Sequence, residues 1–249
     1  MSISSLAAEI GVADATISRF CKALGYDGYN EFKLALAKSS SLNLNQDADI
    51  LSDKITEHDS IVELSHKLMA VDVSAIQQTL NLLREDTVHE AACYLLNASK
   101  VYCFGQGGSG VIAKEAWARF LTISPKFQCI EDNHMQAIAA SMCSPSDVIL
   151  FFSYSGATKD AMDTLRLAKQ QHARTILVTH FSCSPVSTLA DIILLCGSRE
   201  SPLNSGSIAA KMGQLFLIDI LFHEYCRQDA EATALNRDMT SNAVVNKLL

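Results

Sequence analysis

Five short apolar runs constrain the fold of this chain most, because each is separated from the next by a stretch with helical periodicity. The runs cover residues 101–104, 127–130, 148–152, 175–179 and 192–195. Strands that alternate with helices form a parallel sheet with helices on both of its faces. The sequence therefore predicts an α/β fold built on a five-stranded parallel sheet.

A hydroxyl-rich turn follows the third run. Residues 153–158 read Ser-Tyr-Ser-Gly-Ala-Thr and lead into a helical pattern over 159–171. The unpaired backbone N–H groups and the dipole at a helix start favour a bound anion. Hydroxyl groups add donors, and a glycine lets the backbone come close to the ligand. The candidate phosphate-binding residues of this turn are Ser153, Ser155, Gly156 and Thr158.

A glycine-rich turn follows the first run. Residues 105–110 read Gly-Gln-Gly-Gly-Ser-Gly and precede a helical pattern over 111–121. In an open parallel sheet, turns at the same ends of two strands converge on one ligand crevice. The candidate ligand residues of this second turn are Gly107, Gly108 and Ser109.

The glycine-rich turn also matches the dinucleotide-binding pattern G-x-G-x-x-G, with Glu131 and Asp132 at a suitable distance downstream. Against a pyrophosphate ligand, Ser109 places a hydroxyl in the turn, and the turn at 153–158 needs an anion of its own. The two turns together favour a monophosphate, with the dinucleotide as the alternative. No cofactor and no metal is predicted.

Together, residues 105–110 and 153–158 resemble the SIS (sugar isomerase) domain, a flavodoxin-like module that binds phosphosugars, and 200–207 resembles a third ligand-proximal segment of it. Residues 6–20 and 24–33 resemble the DNA-binding domain of MurR/RpiR-type bacterial transcriptional regulators. The two resemblances cover about 3–38 and 70–226. They imply a sugar-phosphate-sensing regulator of carbohydrate metabolism, with Glu200 or Ser205 on the sugar hydroxyls.

The N-terminal residues also predict a small all-α helix-turn-helix from their spacing. Apolar residues from Ile3 to Ile10 fall on one helical face, Gly11 ends that helix, and Asp14 can cap a second helix over 15–24. The second helix of this motif enters the major groove of DNA. We expect Ile17, Phe20 and Leu24 to face the core. The candidate DNA-binding residues are Thr16, Ser18, Arg19, Lys22 and Lys33, with Arg19 expected to contact a base.

Two observations weaken the DNA-binding prediction. Members of the resembled family carry some thirty or more residues ahead of the position of Met1, and Ala13 stands where they usually have a serine cap. In residues 1–41, four Lys/Arg balance four Asp/Glu, so non-specific attraction to DNA should be weak. Double-stranded operator DNA is still the expected partner of this domain, although the domain is partial and its binding is in doubt.

The predicted organisation has five parts. A partial helix-turn-helix domain (1–38), a linker (39–59), a helical lead-in (60–98), the SIS domain (99–228) and a C-terminal tail (229–249) follow one another. The lead-in contains helical patterns at 60–69, 74–83 and 87–97. A last helix over 207–225 is apolar on most of its circumference, which predicts a subunit interface in a homodimer or homotetramer.

Composition supports a cytoplasmic protein. The chain has 249 residues, 49% of them hydrophobic, and a net charge of −7. It has no signal peptide and no apolar run that could span a bilayer, so no membrane partner is expected. Eight cysteines form no C-x-x-C pair, which indicates free thiols rather than a metal site.

Two other functions remain alternatives. A phosphosugar isomerase would need a base to move a proton on the sugar, and its candidates here are Asp132, His134, His180 and Glu200. No two of these are placed by sequence as an acid–base pair, so no catalytic residue is predicted. The third possibility is a sugar-phosphate-binding subunit that cannot bind DNA and forms mixed oligomers.

Overall fold

The computed structural model describes residues 2–40, 55–197 and 208–245, with the side chains of 36–40 left out. Its described residues form two compact units, the first ending at Val71 and the second beginning at Asp72. Within the described parts, no helix is long and apolar enough to cross a bilayer.

The first unit contains three short helices near the N-terminus. These are α1 (Ile3–Ile10), α2 (Asp14–Ala23) and α3 (Tyr29–Ser40). As predicted, Gly11 ends α1 in the left-handed conformation (φ 72°), and its N–H donates to the Ala7 carbonyl oxygen. Ala7, Ile17 and Cys21 form the buried centre of the three helices.

Two predictions about α2 are wrong. Phe20 and Leu24 are 54% and 51% exposed, while Cys21 is fully buried, so the core face follows the i, i+4 pair Ile17 and Cys21. Asp14 does not cap the helix: the N-cap position belongs to Ala13, which has no side-chain acceptor. The Asp14 carboxylate instead accepts a hydrogen bond from the Ser4 hydroxyl at 2.7 Å.

Two helices lead into the sheet, α4 (Ile61–Leu82) and α5 (Glu85–Asn97). The prediction of separate helices at 60–69 and 74–83 is wrong, because α4 is continuous. Residues 70–73 contain no glycine or proline that would end a helix.

The second unit carries the α/β fold. Its elements are β1 (Val101–Gly105), α6 (Gly108–Leu121), β2 (Phe127–Cys129), α7 (Asn133–Ser141), β3 (Val148–Phe152), α8 (Lys159–Gln170), β4 (Arg174–Thr179), a 3-10 turn (Val186–Leu189), β5 (Ile192–Leu195), α9 (Ile208–Gln228) and α10 (Ala230–Val245). All strand pairs are parallel, and the strand order is β2-β1-β3-β4-β5. The predicted five-stranded parallel sheet is confirmed.

Helices cover both faces of the sheet, as predicted. On one face, α5, α6 and α9 pack on side chains such as Cys103, Leu150 and Val178. On the other face, α7 and α8 pack on side chains such as Phe104, Ile149 and Leu177. Neighbouring residues of one strand thus enter opposite cores, as the two-residue period of a strand requires.

Packing within the chain accounts for the apolar circumference of helix α9. It packs against α5, α6 and α10, and its buried residues lie around more than one face. The subunit interface therefore stays a prediction. Helix α10 lies in the predicted tail: Asn236 and Thr240 donate side-chain hydrogen bonds to the carbonyl oxygens of Ile123 and Thr122 at 2.8 and 2.7 Å.

Candidate functional site

The carboxyl ends of β1 and β3 form the candidate site. These adjacent strands lie where the strand order reverses direction, and ligands of open α/β sheets bind in the crevice at that point. Residues 105–110, here the first loop, follow β1, and residues 153–158, the second loop, follow β3. The two turns that the sequence singles out therefore lie side by side.

The first loop folds tightly onto itself. A Cβ on Gly105 would lie 2.5 Å from the Ser109 carbonyl oxygen, so no larger residue fits there. Gly107 precedes α6 with a positive φ of 54°. Because α6 begins at Gly108 and not at residue 111, Gly108 and Ser109 belong to its first turn, where backbone N–H groups lack helical acceptors.

In the second loop, the hydroxyl groups differ in their surroundings. Ser153 is 6% exposed, and its hydroxyl makes no hydrogen bond to the described residues. Ser155 is exposed, and its hydroxyl oxygen accepts from the Ala157 N–H at 3.3 Å. Thr158 is the N-cap residue of α8, but its hydroxyl makes no capping bond.

The Thr158 hydroxyl instead joins the two loops. It donates to Gln106 Oε1 at 3.2 Å, across the crevice between the first turns of α6 and α8. The Gln106 Nε2 is buried and has no hydrogen-bond acceptor among the described residues. Thus Gln106, which the sequence analysis did not select, holds the two loops together.

Buried neighbours fix the backbone of both loops. Gln136 on α7 donates from Nε2 to the carbonyl oxygens of Gly105 at 3.1 Å and Ile130 at 2.7 Å. Under the second loop, a Cβ on Gly156 would overlap the Ser184 hydroxyl, and its positive φ of 57° also requires glycine. These contacts restrict the backbone conformation of both loops.

Lys211 is a candidate ligand residue that the sequence analysis missed. A Cβ on Gly108 would lie 3.4 Å from Lys211 Cε, which places this cation at the first loop. A signal was present, since Lys211 is the only Lys or Arg in residues 208–226 and lies in the first turn of α9.

Two predicted ligand residues, Glu200 and Ser205, lie outside the described residues. Their roles, like those of the other selected ligand residues, stay predictions.

The candidate residues for an isomerase or a dinucleotide site either make structural contacts or are exposed to solvent. The Asp132 carboxylate caps α7 by accepting from the Met135 N–H at 2.9 Å. Glu131 forms an exposed ion pair with Lys114 at 2.6 Å. His134 is exposed, whereas the His180 Nδ1 lies 2.9 Å from the Cys196 carbonyl oxygen.

All eight cysteines are free thiols. Burial raises the pKa of Cys103 and Cys129, which lie opposite each other on β1 and β2, so both stay protonated at neutral pH. Among the described residues, no group of three His, Cys, Asp or Glu side chains could hold a metal ion.

On α2, the selected DNA-binding residues lie mainly on the face away from the core. Thr16, Arg19 and Lys22 are exposed at three-residue spacing, opposite Ile17 and Cys21, while Ser18 is half-buried. The Arg19 Nε donates to the Ala15 carbonyl oxygen at 3.3 Å, so this side chain lies along the helix. The candidate on α3, Lys33, is also exposed.

Two family models match the chain. The SIS domain model matches residues 94–224, and the model of the helix-turn-helix domain of the rpiR family matches residues 1–43. An uncharacterized HTH-type transcriptional regulator of Haemophilus influenzae is 31% identical over 246 residues, covering 99% of this chain and 85% of the relative. The HTH-type transcriptional regulator RpiR of Escherichia coli is 28% identical over 242 residues, covering 97% and 80%.

Solved structures share the fold. The Vibrio vulnificus NanR protein complexed with ManNAc-6P superposes with a TM-score of 0.78 at 25% identity, over 100% of this chain and 87% of NanR. The sugar isomerase domain of an RpiR transcription factor from Sphaerobacter thermophilus superposes with a TM-score of 0.66 at 19% identity, over 72% of this chain and 99% of that domain.

The SIS domain model alone covers more than half of this chain, and the helix-turn-helix model precedes it, as in a two-part regulator. The chain belongs to the RpiR family of HTH-type transcriptional regulators with a SIS domain.

Proposed function

We propose that this chain is a DNA-binding regulator that senses a phosphorylated sugar in the crevice between the first and second loops, and acts as a homodimer or homotetramer. Backbone N–H groups at the starts of α6 and α8 bind the phosphate. The side chains that we assign to the phosphate are Ser109, Ser153, Ser155, Thr158 and Lys211, with Gly107, Gly108 and Gly156 allowing close approach. Glu200 or Ser205 contacts the sugar hydroxyls.

The observation that carries this proposal is the hydrogen bond between Thr158 and Gln106. It holds the residue before α8 against the loop that precedes α6, and two neighbouring helix starts suit a single phosphate group. A hydrogen bond to a charged group contributes about 1.5–3 kcal/mol, so four or five of them suffice for tight binding. The NanR structure, which holds an amino-sugar phosphate, supports the same class of ligand.

The test is a thermal-shift panel with ManNAc-6P, fructose 6-phosphate, arabinose 5-phosphate, inorganic phosphate and NAD. A ligand at one hundred times its Kd adds about 2.7 kcal/mol to the free energy of unfolding, which raises Tm measurably. We expect a shift with one or a few sugar phosphates. A shift with NAD alone would establish the dinucleotide alternative instead.

A variant tests the assignment of the second loop. Ser155→Ala should raise the Kd for the sugar phosphate tenfold or more in calorimetric titration, with Tm unchanged in the absence of ligand. Ser141→Ala is the matched control, because Ser141 ends α7 at the sheet edge opposite to the crevice and donates only to the Ile138 carbonyl oxygen. Equal Kd values for Ser155→Ala and the wild type would exclude Ser155 as a ligand residue.

For DNA binding, we assign the base contact to Arg19 and the phosphate contacts to Lys22 and Lys33. Duplexes selected from a random-sequence library by the wild-type chain provide the probe. Arg19→Ala should lose about 1–3 kcal/mol of binding and relax the sequence preference, whereas Lys22→Ala should weaken all sequences alike. Failure of the wild type to select any sequence would favour the DNA-binding-defective subunit.

We expect the sugar phosphate to be released unchanged. Incubation with fructose 6-phosphate or arabinose 5-phosphate, followed by chromatography, should return only the starting sugar. Product that disappears in Glu200→Gln would identify an isomerase.

A further inference from the structure

The second loop is hydrogen-bonded to the end of β4. The Tyr154 carbonyl oxygen accepts from the His180 N–H at 3.0 Å and from the Thr179 hydroxyl at 3.0 Å. The His180 and Tyr154 rings are stacked, with centroids 5.2 Å apart and 8° between their planes. The position of the His180 ring therefore depends on the backbone of the second loop.

His180 extends this connection to the end of β5. Its Nδ1 lies 2.9 Å from the Cys196 carbonyl oxygen, and because a carbonyl oxygen only accepts, Nδ1 carries the proton. The Cys196 N–H donates to the Thr179 carbonyl oxygen at 2.9 Å. Two bonds thus fix Cys196 to the residues that hold the second loop.

The next residue, Gly197, contacts helix α4. Its N–H donates to Thr79 Oγ1 at 2.9 Å, and the same hydroxyl donates to the Ala75 carbonyl oxygen at 2.8 Å. Thr79 is fully buried. A Cβ on Gly197 would overlap Gln78 Cβ and lie 2.6 Å from the Thr79 backbone nitrogen, so only glycine allows this close contact with α4.

Helix α9 reaches the same hydroxyl. A Cβ on Gly213 would lie 2.7 Å from Thr79 Oγ1 and 3.1 Å from the Gly197 carbonyl oxygen. Lys211, two residues earlier on α9, lies against Gly108 of the first loop. Thr79 is therefore linked to the second loop through His180 and to the first loop through α9.

We propose that Thr79 couples ligand occupancy of the crevice to helix α4, a regulatory role that rests on the proposed binding of a sugar phosphate. The chain passes from the DNA-binding module to α4, so a change at Thr79 acts on the helix that follows that module in sequence. In this proposal α4 can take two positions. The ligand favours one of them because its contacts with the second loop and Lys211 differ between the two. By linkage, DNA and sugar phosphate change each other's affinity by the same factor.

The first test uses the full chain without ligand and hydrogen–deuterium exchange read by mass spectrometry. Thr79→Val keeps the shape of the side chain but removes the acceptor for the Gly197 N–H. It should raise exchange about fivefold or more in peptides of residues 153–158 and 179–182, whereas Thr79→Ser, which keeps the hydroxyl, should exchange as the wild type does. A change confined to the peptide that contains Gly197 would overturn the proposal.

A second variant perturbs the connection from the other end and does not depend on the folding of Thr79→Val. His180→Leu removes the bond to Cys196, so exchange should rise in the α4 peptide of residues 75–82. His180→Asn, whose amide N–H can replace Nδ1, should restore slow exchange. Wild-type exchange of α4 in His180→Leu would contradict the coupling.

Exchange measured with ligand separates this proposal from the proposed function. With ManNAc-6P at saturation, exchange in residues 75–82 should slow about fivefold in the wild type. Thr79→Val should bind ManNAc-6P within about threefold of the wild-type Kd and lose that protection. Retained protection in Thr79→Val overturns the coupling. If the wild type binds no sugar phosphate, the proposed function fails, while exchange without ligand still decides whether Thr79 is linked to the second loop.

Discussion

The two loops of the crevice are built on different principles. The first loop is mainly glycine and approaches itself through backbone atoms, as the contact between Gly105 and the Ser109 carbonyl oxygen demonstrates. The second loop presents hydroxyl groups and lies on side chains, among them the hydroxyl of Ser184 under Gly156. Both loops offer helix starts to an anion, but the first depends on shape and the second on side-chain donors.

This difference separates stability from binding. A backbone atom cannot move away to make room for a new side chain, so a substitution of Gly105 in the first loop should act on folding. A hydroxyl that makes no hydrogen bond to the described protein can be removed at little cost to the fold. Removal of the Ser153 hydroxyl from the second loop should therefore act on the ligand.

The largest effect is expected for Gly105→Ala. The added methyl group would meet the Ser109 carbonyl oxygen at 2.5 Å and force β1 away from α6. We expect a loss of about 3 kcal/mol or more in the free energy of unfolding, since overpacking against fixed atoms costs about 1–3 kcal/mol and occasionally more. Urea denaturation measures this loss.

Gly108→Ala is the matched control in the same loop. Gly108 lies in the first turn of α6, and its Cβ would be at 3.4 Å from a flexible side-chain carbon of Lys211. Alanine favours a helix by up to about 1 kcal/mol over glycine, so this variant should be as stable as the wild type or more so. Equal stability of Gly105→Ala and Gly108→Ala would contradict the proposal that the first loop depends on the close contact between Gly105 and the Ser109 carbonyl oxygen.

The next effect is expected for Ser153→Ala. Ser153 is a buried residue whose hydroxyl has no partner among the described residues, so the unfolding free energy should change by less than about 1 kcal/mol. The Kd for the sugar phosphate that the thermal-shift panel identifies should rise about tenfold, equal to about 1.4 kcal/mol. Calorimetric titration and urea denaturation measure the two quantities.

For Ser187→Ala we expect the opposite result, a loss of stability without a loss of affinity. Ser187 is also buried, but its hydroxyl donates to the Ser184 carbonyl oxygen at 2.6 Å. Its removal should cost about 1 kcal/mol of stability and leave the Kd unchanged. If both serine variants lost stability and neither lost affinity, the second loop would be a structural turn rather than a phosphate site.

The sequence was sufficient for the strands and for the position of both loops. Residues 148–152 form β3 as predicted, because an apolar run between turn residues has few other structures in an alternating chain. The convergence of the loops also followed from the sequence, since parallel strands place their carboxyl ends on one edge. The identity of the family agreed with both motifs.

Contacts between distant residues could not be predicted. The buried face of α2 follows Cys21 rather than Phe20, because the partner helices decide between i+3 and i+4 neighbours and size alone does not. The lone cation in residues 208–226 marks Lys211 in the sequence, but the contacts that bring Gln106 and Lys211 to the crevice come from residues about fifty and a hundred positions away. Such positions are fixed by tertiary packing.

The smallest effect is expected for Thr158→Val, and it measures how the two loops cooperate. In the structure the Thr158 hydroxyl donates to Gln106 Oε1, so a phosphate that takes this donor must replace an existing bond. The net gain from such an exchange is small, because one hydrogen bond is lost as another forms. The Kd for the sugar phosphate that the thermal-shift panel identifies should therefore rise only about two- to fivefold in calorimetric titration. Thr158→Ser keeps the hydroxyl and should bind as the wild type does. A tenfold or greater loss in Thr158→Val would mean that Gln106 finds another partner in the complex and that Thr158 contributes as fully as Ser153.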